Sequence, residues 1–399
     1  MNARGIHSRP QVYDFPVYYT YAPAVPAAAD TVSPGLQGST DTQGNVLAHT
    51  IPDDQRLMRF LVLGSEGGTY YATESALTEQ NATCVTNLIN SGQGEMVVQK
   101  VVEVVRDGRA IRINSALLTL AMCCRSSDAK TKAAAYRAVS EVCNIPTHLF
   151  KFIQYLESQG RTTGWGRGLR NAVSLWYNRF ANNPQRLAVL LTKYRQRDGW
   201  THRDILRLAH MKPVNEVIGF LLRYTVKGLD EAKRYYLEDG HVDSENVRMK
   251  QIVRYLDAVE EARRFESPKA KEGDMEVEDD NSAVERLVTL ITQFDLLREH
   301  LPTSMLKKHV VWQSLLEKMP IMATIRNLPR LTTTGILAIP ENVAKIVERL
   351  GNKDAIKQSK VLVLYIYIYI FVVNVVVTIA LCVCVCAAKY HCTSAREYR

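Results

Sequence analysis

Residues 185–213 read QRLAVLLTKYRQRDGWTHRDILRLAHMKP. Leu187, Leu190, Leu191 and Tyr194 recur at helical spacing, which predicts a helix from Gln185 to about Arg197 that buries this side. Arg186, Lys193 and Arg197, spaced by seven and four, fall along one flank of the buried face. Asp198-Gly199 ends this helix. Thr201, three residues before Asp204, is a near relative of the capping box and opens a second helix that runs to His210. Lys212-Pro213 stops it, because the residue before proline avoids the helical region. The second helix adds Arg203, Arg207 and His210, spaced by four and three. Two short helices in succession, each apolar on one side and cationic on another, are the unit of an all-α fold. Their ridges of donors suit phosphate oxygens and base edges, and the same spacing also describes a helix pair with a solvated basic side.

Working outward, the same kind of segment recurs. Pro146-Thr147 opens a run through Leu149, Phe150, Phe152, Ile153 and Leu156, and Pro302-Thr303 precedes one through Trp312, Leu315 and Leu316 to Met319-Pro320. Alternating strand patterns are almost absent from residues 55–360. Short helices joined by short turns over that length predict a helical-repeat solenoid, although the segments do not align into one exact repeat. Residues 1–54 hold six prolines and no sustained apolar period, the composition of a disordered leader. Residues 266–281 carry Glu, Asp, Lys, Pro and Gly with almost nothing apolar, and they read as an acidic flexible loop between helices.

The last segment, 361–399, is of another kind. Val361 to Ala388 is apolar or weakly polar throughout, longer than the roughly 20 residues of a membrane-spanning helix. Yet Tyr365-Ile366-Tyr367-Ile368-Tyr369-Ile370 and Cys382-Val383-Cys384-Val385-Cys386 are strict two-residue alternations, which TATATA and TGTGTG repeats encode. Translated intron is the favoured reading of this tail, and a transmembrane anchor is the alternative.

Composition bounds the function. The chain carries 50 Lys and Arg against 41 Asp and Glu, a net charge of +9 over 399 residues. Between Lys151 and Asp230 there are fourteen Lys and Arg against five Asp and Glu, so this window alone accounts for the whole excess. A concentrated basic stretch is the electrostatic footprint of a nucleic-acid binder. Enzyme templates fail: there is no GxxxxGK[ST], HExxH or GxSxG, and Gly64-Ser65-Glu66-Gly67-Gly68-Thr69 lacks the lysine of a phosphate loop. Cys84, Cys123, Cys124 and Cys143 form no CxxC pair and stand at no ligand spacing with histidine, so they read as buried thiols in a reducing compartment. No cofactor or metal is implied.

Several runs carry a resemblance. Gly64 to Tyr71, Ala138 to Phe150 (AVSEVCNIPTHLF), Trp165 to Arg170 (WGRGLR), Thr192 to Trp200 (TKYRQRDGW) and Leu206 to Pro213 (LRLAHMKP) occur in order. With Arg298-Glu299-His300-Leu301 and Met319 to Leu328, they make residues 55–360 resemble the TROVE domain of the Ro autoantigen family. The resemblance implies a ring of HEAT-like helical repeats closed by a von Willebrand A domain. It implies small non-coding Y RNAs bound on the outer surface, and single-stranded ends of misfolded RNAs passed through the central hole. It places Lys193, Arg197 and His210 at positions that contact Y RNA, and Arg167 and Arg170 in a matching basic motif. No D-x-S-x-S pattern of a von Willebrand A domain occurs in this sequence, so the expectation is an incomplete ring, truncated before that domain. The expected function is RNA binding without catalysis, in the cytoplasm and also the nucleus, by Lys193, Arg197, His210, Arg167, Arg170, Arg186, Arg203 and Arg207. The alternative is a membrane-tethered helical scaffold that binds protein partners.

Overall fold

The computed structural model describes residues 51–66, 77–110, 112–160, 165–239, 246–265 and 277–352. The expected leader up to residue 50, the first eleven residues of the acidic loop and the apolar tail lie outside these residues. The described residues are helical almost throughout, as the sequence predicts. The first group is α1 (Asp53–Leu63), α2 (Thr83–Asn90), α3 (Gly94–Arg106), α4 (Asn114–Arg125), α5 (Ala129–Val142) and α6 (Pro146–Ser158). Next come α7 (Arg167–Asn178), α8 (Pro184–Lys193), α9 (His202–Ala209), α10 (Glu216–Lys227), α11 (Leu229–Lys233) and α12 (Val247–Arg264). The last are α13 (Val277–Phe294), α14 (His309–Lys318), α15 (Ile321–Thr333) and α16 (Pro340–Gly351). Extended structure among the described residues is confined to β1 (Gln196–Arg197) and β2 (Trp200–Thr201), which pair antiparallel.

Local chemistry explains where these helices begin. The Asp128 carboxylate accepts the Lys130 and Thr131 amides at 3.2 and 2.8 Å, satisfying donors that α5 cannot use itself. Asn183 and Asn215 cap α8 and α10 in the same way, at 3.1 and 2.9 Å. Pro146 and Pro184 stand at the first positions of α6 and α8, where a missing N–H costs nothing. Two boundaries differ from the sequence reading. Residues 277–281, expected to end the acidic loop, are the start of α13, since acidic residues also favour a helix's first turn. The run after Pro302-Thr303 becomes helical only at His309, after a 3₁₀ turn at Met305–Lys307.

No helix of this length is stable alone, so each must bury its apolar face on neighbours. α3 packs on α5, α5 on α7 and α7 on α9, while α4 packs on α6 and also against α3 and α5. Each helix thus meets the next but one, the stacking of a two-layer helical repeat. At α8 the order shifts, and α8 packs on α10 and α12. Trp176 of α7 is fully buried and donates its indole N–H to the Cys143 carbonyl at 2.5 Å. Cys84, Cys123, Cys124 and Cys143 are buried free thiols, and burial pushes Cys84 and Cys123 up to about 12, which leaves them inert. At the start of the glycine-rich stretch, Gly64 caps α1 in the left-handed region, and Glu66 pairs with Arg56 and accepts the Cys84 amide at 2.7 Å. Among the described residues no helix is long and apolar enough to cross a membrane, so a membrane-tethered scaffold finds no support there.

Two buried histidines tie distant helices together. His202, at the start of α9, holds its Nδ1 2.7 Å from the Tyr177 hydroxyl of α7. His300 accepts the Leu297 amide at Nδ1, 3.1 Å away, which leaves the proton on Nε2 to be donated to Thr192 Oγ1 at 3.1 Å. A second proton on His300, at Nδ1, would oppose the Leu297 donor. Burial pushes both histidines down to about 3, and Arg263, Arg195 and Lys193 add like-charge repulsion at His300. In the unfolded chain each titrates near 6.5, so the unfolded state binds more protons as pH falls below that value. Stability should therefore be full above about pH 6.5 and decline toward pH 3, with a slope approaching about 1.4 kcal/mol per pH unit for each histidine. Urea unfolding midpoints between pH 7.5 and 5.5 will measure it. His300→Gln should remove about half of the slope, and an unchanged slope would refute the assignment.

Candidate nucleic-acid interface

The stretch from α8 to α9 is built differently from the two consecutive helices expected. α8 buries Leu187, Ala188, Leu190, Leu191 and Thr192 and leaves Arg186 exposed. It ends at Lys193, whose ammonium lies 5.4 Å from the centre of the Tyr194 ring. The expected continuation to Arg197 does not occur. Tyr194 leaves the helix with φ −102° and ψ 94°, and the next residues form the β1–β2 hairpin. Asp198 and Gly199 at its tip have φ of 53° and 80°. Positive φ at both central residues is the mark of a type I′ turn, for which Asp-Gly is a preferred pair. The dipeptide that reads as a helix stop is equally a hairpin signal, and the hairpin prevails because its tip is anchored. Lys151 of α6 meets the Asp198 carboxylate at 2.7 Å, and the two side chains are only 13% and 26% exposed. Trp200 packs at 6.0 Å from Trp165. Lys193 and Arg197 are therefore not one helical turn apart: Arg197 stands exposed on β1, donating to the Gln196 carbonyl at 2.8 Å.

The second helix matches its reading closely. Thr201 Oγ1 accepts the Asp204 amide at 3.1 Å and the Asp204 carboxylate accepts the Thr201 amide at 3.2 Å, a complete capping box. α9 buries His202, Ile205, Leu206 and Ala209 and leaves Arg203 and Arg207 exposed on the opposite side. His210 caps the helix in the left-handed region with φ 46°, also exposed. Eight helical residues span about 12 Å, which sets His210 at the end of α9 away from the hairpin. α9 packs on α7 and α10, whereas α8 packs on α10 and α12, so the two do not form the antiparallel pair that would set His210 beside Lys193. Arg167 and Arg170 are exposed in the first turn of α7.

The sequence-predicted cations are not neutralised by carboxylates. Arg167, Arg170, Arg186, Lys193, Arg197, Arg203 and Arg207 make no ion pair among the described residues. Other cations are matched, among them Arg223 with Glu231, Lys233 with Asp257, Arg263 with Glu260 and Arg286 with Glu261. Arg179 of α7 has a structural task, donating to the Ser140 and Asn144 carbonyls and stacking 4.7 Å over Trp176. These cations over α7–α9, all exposed but the half-buried Lys193, are suited to phosphates. Among the described residues no group of His, Cys, Asp and Glu is placed to hold a metal ion. Spacing arguments missed two residues. Lys151 positions the hairpin from 47 residues away in sequence, with no local signal. Arg195 falls between the residues of the presumed helical flank, and its importance follows only once the helix stops at Lys193.

The strain at the hairpin tip is testable. A Cβ at Gly199 meets nothing within 4 Å, so Gly199→Ala carries only the conformational cost of φ 80°. That cost should be about 1–2 kcal/mol, read as a lower urea midpoint with helical circular dichroism unchanged. A midpoint equal to the parent's would mean that the turn does not hold this conformation.

With the geometry in view, the chain can be set beside known proteins. Residues 41–370 match the TROVE domain. RNA-binding protein RO60 of Caenorhabditis elegans is 31% identical over 367 residues, covering 81% of this chain and 56% of that protein. RNA-binding protein RO60 of Deinococcus radiodurans is 29% identical over 316 residues, covering 78% of this chain and 52% of that protein. The crystal structure of the Deinococcus radiodurans RO (RSR) protein superposes with a TM-score of 0.58 at 27% identity, over 77% of this chain and 55% of the solved one. The chain spans about half the length of the relatives it matches. A domain match over most of the sequence, a relative at 31% identity and a shared helical fold lead to one conclusion: this chain belongs to the TROVE domain family of Ro proteins.

Proposed function

We propose that this chain is an RNA-binding, non-catalytic component of a Ro-type ribonucleoprotein. The observation that carries this reading is the set of cations without ion pairs across α7, α8, the hairpin and α9, in the sequence window that holds the chain's whole excess of positive charge. Relatives named as RNA-binding proteins supply the class of partner. Arginine forks and a lysine ammonium spread over three helices fit the phosphates of a structured RNA better than those of a single nucleotide. A small structured non-coding RNA of the Y type is the proposed partner, with misfolded RNA 3′ ends as a second class and RNA quality control as the role. Buried, reduced cysteines suit the cytoplasm and nucleus.

Lys193, Arg197, Arg203 and Arg207 act through phosphates, and His210 hydrogen-bonds or stacks from the end of α9. A Lys193→Ala/Arg197→Ala variant of the full chain should lose about 1–3 kcal/mol for a Y-type RNA, measured by filter binding. The slope of log affinity against log salt should become shallower by about 1.8, the value for two phosphate contacts on duplex. His210→Ala should weaken binding with the slope nearly unchanged. Both variants must keep the parent's helical circular dichroism. If the folded double variant binds as tightly as the parent, these two cations are not part of the interface.

A further inference from the structure

The hairpin and the end of α8 form one wall of a second feature, a cleft of about 530 Å³ that faces α10, α11 and α12. Its volume lies within the roughly 300–1,000 Å³ of small-ligand sites. Tyr194, Arg195, Arg203, Lys227, Arg263 and Arg264 line it, against two carboxylates, Asp230 and Glu260. Glu260 is already engaged: it accepts from Arg263 at 2.7 Å and from the Tyr224 hydroxyl at 2.7 Å. Arg263 also donates to the Thr192 carbonyl at 2.8 Å, and its buried Nε has no hydrogen-bond partner among the described residues. Arg195, Arg203, Lys227 and Arg264 make no ion pair or hydrogen bond among the described residues. Four uncommitted cations therefore line a concave site with one uncommitted carboxylate. Burial and repulsion from the neighbouring Arg263 both hold the Arg195 guanidinium below its ordinary range, and the Glu260 carboxylate offsets this only in part. An anion placed there relieves that repulsion and meets guanidinium forks in the geometry they favour.

We propose that this cleft is a second binding site, one that takes a single nucleotide by its phosphate, with Tyr194 as the wall against which its base lies. Stacking on an aromatic ring beside a basic groove is how unpaired bases are held. The concavity admits one nucleotide unit, unlike the exposed ridges of α7 and α9. Arg203 is shared between the two surfaces. The phosphate can arrive on a single-stranded RNA or on a free nucleotide, and the chemistry recognised is the same.

The full chain serves for the test. Adenosine 5′-monophosphate is titrated by calorimetry, and a fluorescein-labelled ten-nucleotide oligouridylate by anisotropy. Arg195→Gln/Arg264→Gln should weaken whichever probe binds by about tenfold, as expected for two charge-assisted contacts. Lys307→Gln/Arg326→Gln, exposed cations outside both the cleft and the α7–α9 row, should change affinity far less. Binding of oligouridylate alone identifies an RNA strand as the carrier, binding of the mononucleotide alone identifies a free nucleotide, and binding of both identifies the phosphate unit itself. All three support the cleft provided the Arg195/Arg264 variant is the one that loses. Binding of neither probe, equal binding by that variant, or equal losses in both variants overturns it. If Y-type RNA fails to bind the parent while a nucleotide still occupies the cleft, the structured-RNA reading falls and this site stands.

Discussion

The geometry of the basic region depends on how α8 ends. Arg263, from α12, donates to the carbonyl of Thr192, and His300 holds the hydroxyl of the same residue from a 3₁₀ turn. Thr192 Oγ1 passes its proton to the Ala188 carbonyl at 2.8 Å, so the last turn of α8 is hydrogen-bonded from outside as well as within. These partners lie 71 and 108 residues away in sequence. Once the helix is stopped at Lys193, the chain leaves it at Tyr194 and folds into the hairpin, and Thr201 is delivered to cap α9. Arg197, Arg203 and Arg207 take their places as consequences of that one terminus.

The same terminus joins the two proposed binding surfaces. One side of the α8–α9 connection presents exposed cations with no carboxylate partners. The other closes the cleft where Arg195 and Arg203 meet Arg263 and Arg264. Stability and function make opposite demands on these arginines. Arg179 and Arg263 spend their donors on backbone carbonyls and hold helices together. Arg186, Arg197 and Arg207 spend none on the fold's long-range contacts and remain open to a ligand. Surface ion pairs contribute little, at about 0–1 kcal/mol, so leaving these cations unpaired costs the fold almost nothing.

Much was legible in particular residues. The Thr201–Asp204 box, the proline opening α6 and the buried cysteines all appear where their local chemistry placed them. Each depends on neighbours within four positions, or on burial that residue type alone predicts. The row Arg203, Arg207, His210 was legible for the same reason, because helical periodicity is a local property. The helix expected through Arg197 was not formed, since Asp198-Gly199 is compatible with both a helix stop and a type I′ turn. Local sequence cannot choose between them.

The sequence by itself determined an all-α repeat fold, the concentration of cations in one window and the family to which the chain belongs. Those follow from periodicity, composition and motif, which are written along the chain. Only the tertiary structure decided which cations stay unpaired, which are consumed in holding helices, and where Lys193, Arg197 and His210 stand relative to one another. The Lys151–Asp198 pair and the Thr192–Arg263–His300 network made that choice, through contacts that exist only after remote helices have packed.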